Sequence, residues 1–174
     1  IGLWAWAPWL PAWQKSAPGF LAGRWCQPMS GEAFMHVDFA EAGPDVIVQV
    51  RVAAPNPYAT ISFNSKFGAS PEQAAALLRA VKERGATPAV SIHLGYQTTN
   101  PDAFAQGLSL IADLAASVGV RPAYINLGGG FPSLLMPKGM TIDDFFQTIS
   151  RARSQQSCIT DVPLRCEPGS ALTH

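Results

Sequence analysis

Three consecutive glycines, Gly128, Gly129 and Gly130, follow the apolar run Ala123-Tyr124-Ile125-Asn126-Leu127 and lead into Phe131-Pro132-Ser133. A short strand running into such a triplet exposes backbone N–H groups where a strand ends. Clustered N–H groups form an anion-binding concavity, most often for phosphate. A tight turn that needs glycine only for its shape would leave the same trace. Three other groups suited to chemistry occupy comparable places. Arg51 lies near the end of Val46-Ile47-Val48-Gln49-Val50-Arg51-Val52, and His93 near the end of Ala89-Val90-Ser91-Ile92-His93-Leu94. Glu167 lies just past Pro163-Leu164-Arg165-Cys166 and precedes Pro168-Gly169. Singly, Arg51 reads as a strand-edge residue, His93 as a packed core histidine and Glu167 as a turn residue. Together, all at strand ends, they read as one site.

The elements that would position them follow from the spacing. The β-branched run 46–52 predicts a strand. Ser70 caps a helix with Pro71 in its first turn and Gln73 in capping-box position, and Gly85 ends it. A second strand covers 89–94. Asn100-Pro101 opens a long helix through Phe104, Leu108, Ile111 and Leu114 to Gly119. A third strand, 123–127, ends in the glycines. Thr141 caps a third helix with Asp143 and Asp144 in its first turn, where carboxylates suit the positive end of the helix dipole. A fourth short strand covers 163–166. Strands alternating with helices predict an α/β fold with a parallel sheet, whose carboxyl ends share the ligand-binding face.

Composition removes several classes. Twelve Lys+Arg balance twelve Asp+Glu, so no net charge draws nucleic acid or an anionic membrane. Cys26, Cys158 and Cys166 are widely spaced, without a CxxC pair or a Cys/His cluster, which argues against a metal site and a disulfide framework. That usage fits a reducing compartment and predicts a cytoplasmic protein. No run reaches the length of a membrane span. The glycines are not followed by the GK[ST] of a P-loop, and GxGxxG, GxSxG and HExxH are missing.

From about Val46 to Leu172 the chain resembles the barrel domain of the pyridoxal-phosphate decarboxylases of ornithine/lysine/diaminopimelate type, with the alanine-racemase-like fold. Four pieces carry the resemblance. They are Arg51 with Ser65-Lys66-Phe67-Gly68-Ala69, Ser91-Ile92-His93-Leu94-Gly95-Tyr96-Gln97-Thr98-Thr99, Asn126-Leu127-Gly128-Gly129-Gly130-Phe131-Pro132, and Leu164-Arg165-Cys166-Glu167-Pro168-Gly169. The Lys-Phe-Gly-Ala and Gly-Gly-Gly-Phe-Pro forms resemble the ornithine/lysine branch most.

The resemblance implies a partial TIM-like (β/α) barrel of parallel strands over 46–174, binding pyridoxal 5'-phosphate. It implies that His93 stacks on the pyridine ring and that Gly128, Gly129, Gly130 and Gly169 hold the phosphate. Glu167 would pair with the ring nitrogen, and Arg51 would lie near the ring substituents. The implied reaction is decarboxylation of a basic amino acid, as in polyamine biosynthesis, by an enzyme whose intact form is a homodimer. Two departures stand out: Ser170 where the family commonly has arginine, and Tyr96 where it commonly has serine. Residues 1–45 are rich in Trp and Pro, and the Schiff-base lysine of the family is not recognisable there, Lys15 included. They read either as a divergent early barrel segment or as a stretch in a different reading frame. The family's C-terminal β-domain would lie beyond residue 174. The expectation is an incomplete, inactive fragment. The rival readings are a non-catalytic relative that binds a partner protein and a diaminopimelate-type decarboxylase.

Overall fold

The computed structural model describes residues 46–63 and 67–173. The segment 1–45, with Lys15 and Cys26, and the Ser65-Lys66 pair lie outside the described residues. Four strands, β1 (Ile47–Arg51), β3 (Thr87–Ser91), β5 (Ile125–Asn126) and β6 (Leu164–Arg165), form one sheet in the order β1-β3-β5-β6. Every pairing in it is parallel. The intervening helices are α1 (Pro71–Glu83), α2 (Asp102–Val118) and α3 (Ile142–Ser154), and α4 (Ser170–Thr173) follows β6. The result is four βα units in an open parallel sheet, a partial barrel without closure among the described residues.

Local chemistry sets the helix ends. The Ser70 hydroxyl accepts the Gln73 N–H at 3.3 Å, and the Gln73 side chain accepts the Ser70 N–H at 3.0 Å. This reciprocal pair satisfies two donors at the start of α1. Before α2, Asn100 Oδ1 accepts the Asp102 N–H at 2.9 Å, and the helix stops on Gly119 at φ +63°. Before α3, the Asp144 carboxylate accepts both the backbone N–H and the hydroxyl of Thr141, at 2.7 and 2.9 Å. Buried Phe104, Leu108, Ile111 and Ala115 line one face of α2 at helical spacing, and Phe145 and Ile149 do so on α3.

Several boundaries differ from the sequence expectation, the third strand among them, which is Ile125–Asn126 rather than 123–127. The second strand runs 87–91, not 89–94, so His93 stands beyond the strand rather than within it. The chain turns there because the His93 ring accepts the Gly95 N–H at 3.2 Å and Gly95 takes φ +97°. The loops after β1 and β3 also pair with each other, as β2 (Ala59–Ile61) and β4 (Tyr96–Thr98) in a two-stranded antiparallel sheet. Periodicity gave no sign of it, since each strand is three residues long. Buried Asn56 supports it by donating to the Leu94 carbonyl at 2.6 Å and to Thr98 Oγ1 at 3.0 Å. The one-turn helix α4 was likewise not anticipated.

The glycine triplet is anchored to the core through the residue that follows it. Phe131 is fully buried, stacked on Phe104 with ring centroids 4.5 Å apart, and Phe104 meets Phe145 edge-on at 6.3 Å. Offset and edge-on aromatic pairs add to the burial of large apolar surfaces. Phe131→Ala is therefore expected to destabilise the chain by about 3–5 kcal/mol. Phe146, 40% exposed at the margin of the same cluster, should cost far less as Phe146→Ala. Urea unfolding of the two variants checks the contrast.

Candidate functional site

Parallel pairing places Arg51 opposite Ser91, Ser91 opposite Asn126 and Asn126 opposite Arg165. Side chains alternate faces along a strand, so residues two apart share a face. Gln49 lies below Arg51 on one face, and His93, Gly128 and Glu167 continue the row above Ser91, Asn126 and Arg165. A cavity of about 200 Å³ opens there, lined by Gln49, Arg51, Ser91, His93, Asn126 and Glu167, with Ile92 and Gly128. Arg51, His93, Gly128 and Glu167 thus meet at the carboxyl ends of the strands. Gly129 is packed against two of them, as its close approaches show.

The glycine loop is fixed by its carbonyl groups. The Gly128 carbonyl accepts the Glu167 N–H at 2.8 Å, and the Gly130 carbonyl accepts the Thr98 N–H at 2.7 Å. Gly128 and Gly130 take φ of +65° and +91°, a conformation that favours glycine. With the carbonyls turned into the protein, the N–H groups of Gly129 and Gly130 meet no acceptor among the described residues. The expectation that all three N–H groups would be available needs correction at Gly128. Its N–H donates to Asn126 Oδ1 at 2.9 Å. All three glycines are too crowded for a side chain, and at Gly129 the crowding comes from two rim residues. A Cβ there would lie 2.7 Å from the Glu167 carbonyl oxygen and 3.1 Å from His93 Nε2.

The charged groups act on one another. Burial pushes the Arg51 guanidinium pKa down, while the Glu167 carboxylate pulls it up; Arg51 stays a cation. Burial and the Arg51 charge push the His93 pKa below the ordinary 6.5, with Glu167 opposing. His93 is a neutral imidazole at pH 7, and the Gly95 N–H at Nδ1 places its own hydrogen on Nε2. Two aromatic rings back these groups. Phe63 packs on His93 with centroids 5.4 Å apart, and Arg51 lies over Phe67 at 5.3 Å. Gly169 follows Glu167 at φ +47° and starts the turn into α4. Tyr96 is 37% exposed in β4.

Sequence reasoning missed the layer below the rim. Asn126 Nδ2 donates to Glu167 Oε1 at 2.7 Å and to Gln49 Oε1 at 3.5 Å. Ser91 is 4% exposed, and its hydroxyl has no partner among the described residues. A polar residue in the strand just before each rim residue was the available signal: Gln49, Ser91 and Asn126 interrupt otherwise apolar runs.

These residues fit a phosphorylated heteroaromatic cofactor. They offer glycine N–H groups that meet no acceptor among the described residues, a carboxylate, a neutral imidazole and a buried hydroxyl that lacks a partner there.

Fold and site together define a pyridoxal-phosphate-type (β/α) barrel domain. The chain belongs to the pyridoxal-dependent decarboxylases: the family description "Pyridoxal-dependent decarboxylase, pyridoxal binding domain" matches residues 31–174. It is similar to the lysine/ornithine decarboxylase of Selenomonas ruminantium, 33% identical over 108 residues, which cover 60% of this chain and 27% of that protein. It is 30% identical to the ornithine decarboxylase of Mus musculus over 127 residues, 70% of this chain and 28% of the mouse protein. Its structure resembles that of the Vibrio vulnificus lysine/ornithine decarboxylase complexed with putrescine, with a TM-score of 0.58 and 30% identity. That match covers 75% of this chain and 34% of the other. The chain therefore spans about a third or less of these relatives. No helix among the described residues is long and apolar enough to cross a membrane.

The charge arrangement predicts a titration. The His93 midpoint, followed by imidazole NMR, lies below 6.5; it rises in Arg51→Gln, which removes a repelling cation, and falls further in Glu167→Gln. The sign for stability follows from linkage. A base whose folded pKa is depressed contributes stability that is present above its unfolded value and is lost as pH falls through the folded value. His93→Gln should flatten the loss of melting temperature below pH 6.5.

Proposed function

We propose that this chain is the cofactor-binding portion of a decarboxylase acting on a basic amino acid, ornithine or lysine, in polyamine formation in the cytoplasm. The observation that carries the reading is the convergence of Arg51, His93, Glu167 and Gly128, the first residue of the glycine loop, on one cavity at the carboxyl ends of a parallel sheet. The family membership and the substrates in the names of the relatives support the class of substrate.

Pyridoxal 5'-phosphate, when bound, supplies an electron sink for the pair left on the α-carbon as carbon dioxide departs. The chain's own residues bind it and set its charge. The N–H groups of Gly129 and Gly130, with that of Gly169, hold the phosphate. His93, neutral and backed by Phe63, would hold the pyridine ring without adding a charge that opposes a protonated ring nitrogen. Glu167 would be the partner of that nitrogen, since a carboxylate favours the charged form of a pyridinium. Arg51 offsets the carboxylate and orders the rim from β1. Gly128 contributes shape and a carbonyl that fixes Glu167, not a donor to the phosphate.

Among the described residues no lysine lines the cavity. The reading accordingly includes an inactive chain in isolation, with the remaining barrel and a partner subunit completing the site in a homodimeric enzyme. Pyridoxamine 5'-phosphate tests binding cleanly because its amine cannot condense with surface lysines. Calorimetry is expected to show it bound by the purified chain. Gly129→Ala should weaken it at least tenfold, since the added Cβ would collide with the Glu167 carbonyl and crowd His93, displacing the loop. Equal affinity of both proteins would overturn the assignment of the cradle. Release of carbon dioxide from ornithine or lysine by the isolated chain would overturn the incompleteness.

A further inference from the structure

Asn126 is the last residue of β5 and only 7% exposed, yet its carboxamide touches three separate parts of the molecule. Its oxygen is fixed by the Gly128 N–H at 2.9 Å, a donor with no alternative acceptor in the loop. That bond settles which way the amide faces, because the opposite orientation would set N–H against N–H. The NH₂ group is then forced toward the two oxygens around it: Glu167 Oε1 at 2.7 Å and Gln49 Oε1 at 3.5 Å. A hydrogen bond of 2.7 Å from a neutral amide to a carboxylate is short and charge-assisted, hence directional. Glu167 is itself exposed, on the four-residue connection between β6 and α4, and its backbone alone would leave its rotamer free. No other hydrogen bond reaches its carboxylate among the described residues.

We infer that Asn126 is a positioning residue: one buried carboxamide both orients the Glu167 carboxylate and locks the Gly128 turn that aims the glycine cradle. The two ends of the ligand site, one for a ring nitrogen and one for a phosphate, are thereby set by a single side chain. Gln49 braces it from the strand two places away in the sheet. An aspartate here would keep the bond to Gly128 but would face Glu167 with a second carboxylate. Aliphatic residues would break both bonds. The inference rests on the reading of Glu167 as the partner of the ring nitrogen only for its functional meaning. The positioning itself can be measured without any cofactor.

The test is NMR at fixed neutral pH on the full chain carrying ¹³C-glutamate and ¹⁵N, with Glu167→Gln identifying the Glu167 side-chain signals. In the unmodified chain Glu167 is expected to hold one side-chain rotamer, read from its three-bond couplings. Asn126→Asp and Asn126→Leu are each expected to average those couplings over several rotamers, because both remove the donor to the carboxylate. Asn126→Asp keeps an acceptor for the Gly128 N–H, so that amide should stay protected from hydrogen exchange, whereas in Asn126→Leu it should lose protection. Asn126→Asp should further weaken pyridoxamine 5'-phosphate by about tenfold or more, the usual scale for a hydrogen bond to a charged group.

A purely structural role would lower the melting temperature and leave the Glu167 couplings where they were. Unchanged couplings in Asn126→Asp overturn the inference, whether or not the ligand binds. If Asn126→Leu does not fold, Asn126→Asp, of nearly the same volume, decides alone. Averaged couplings in Asn126→Asp with no ligand binding by the unmodified chain would uphold the positioning and defeat the cofactor reading instead.

Discussion

The register of four parallel strands is the constraint on which the rest of this molecule depends. Arg51, Ser91, Asn126 and Arg165 stand opposite one another in adjacent strands. A slip of one residue in any pair would turn that strand's polar side chains away from the cavity and its apolar ones into it. The register is defended by burial on the other face. Val48, Val50 and Val90 are buried in the core where helix α1 packs on the sheet, in one cluster with Leu78 and Ile111. The apolar pattern that folds the sheet therefore also determines which polar groups reach the rim.

From that register the loops inherit their geometry. The Gly128 carbonyl holds the Glu167 N–H, and the Gly130 carbonyl holds Thr98, so strands β4 and β6 are both tied to the triplet. Buried Gln97 strengthens the tie: its side chain accepts the Ser133 and Leu135 N–H groups and donates to Ser133 Oγ at 2.9 Å. Gln97 takes φ +50°, the one non-glycine residue with positive φ among those described. Such a conformation costs free energy and persists where its surroundings over-determine it, here through three side-chain hydrogen bonds. A loop of three glycines needs this bracing, because it has no side chains of its own to keep its shape.

The parts legible in the sequence were those with long or redundant signals. Helices α1 to α3 carry start signals and apolar stripes that agree: α1 and α3 are capped by Ser70 and Thr141, and α2 begins directly after Asn100-Pro101. The four parallel strands were visible as β-branched or apolar runs between them. His93 was displaced from strand to loop because Ile92-His93-Leu94 is apolar in composition, while the bond that ends the strand comes from its own ring. The β2–β4 pairing was invisible since three-residue strands have no period to read. The site's rim was legible from residue types, and its underlayer was not. Asn126 looked like one polar residue within an apolar strand, and only the fold brings it to Glu167, 41 positions away.

The central claim is that the glycine loop, braced from both sides, is the anion cradle of a pyridoxal-phosphate site. The most direct measurement is which amide resonances of the ¹⁵N-labelled chain move on addition of pyridoxamine 5'-phosphate. The account predicts the largest shifts at Gly129, Gly130 and Gly169, with the Gly128 amide, already bonded to Asn126, shifting less. Shifts confined to residues away from the rim, with these three amides unmoved at saturation, would contradict it.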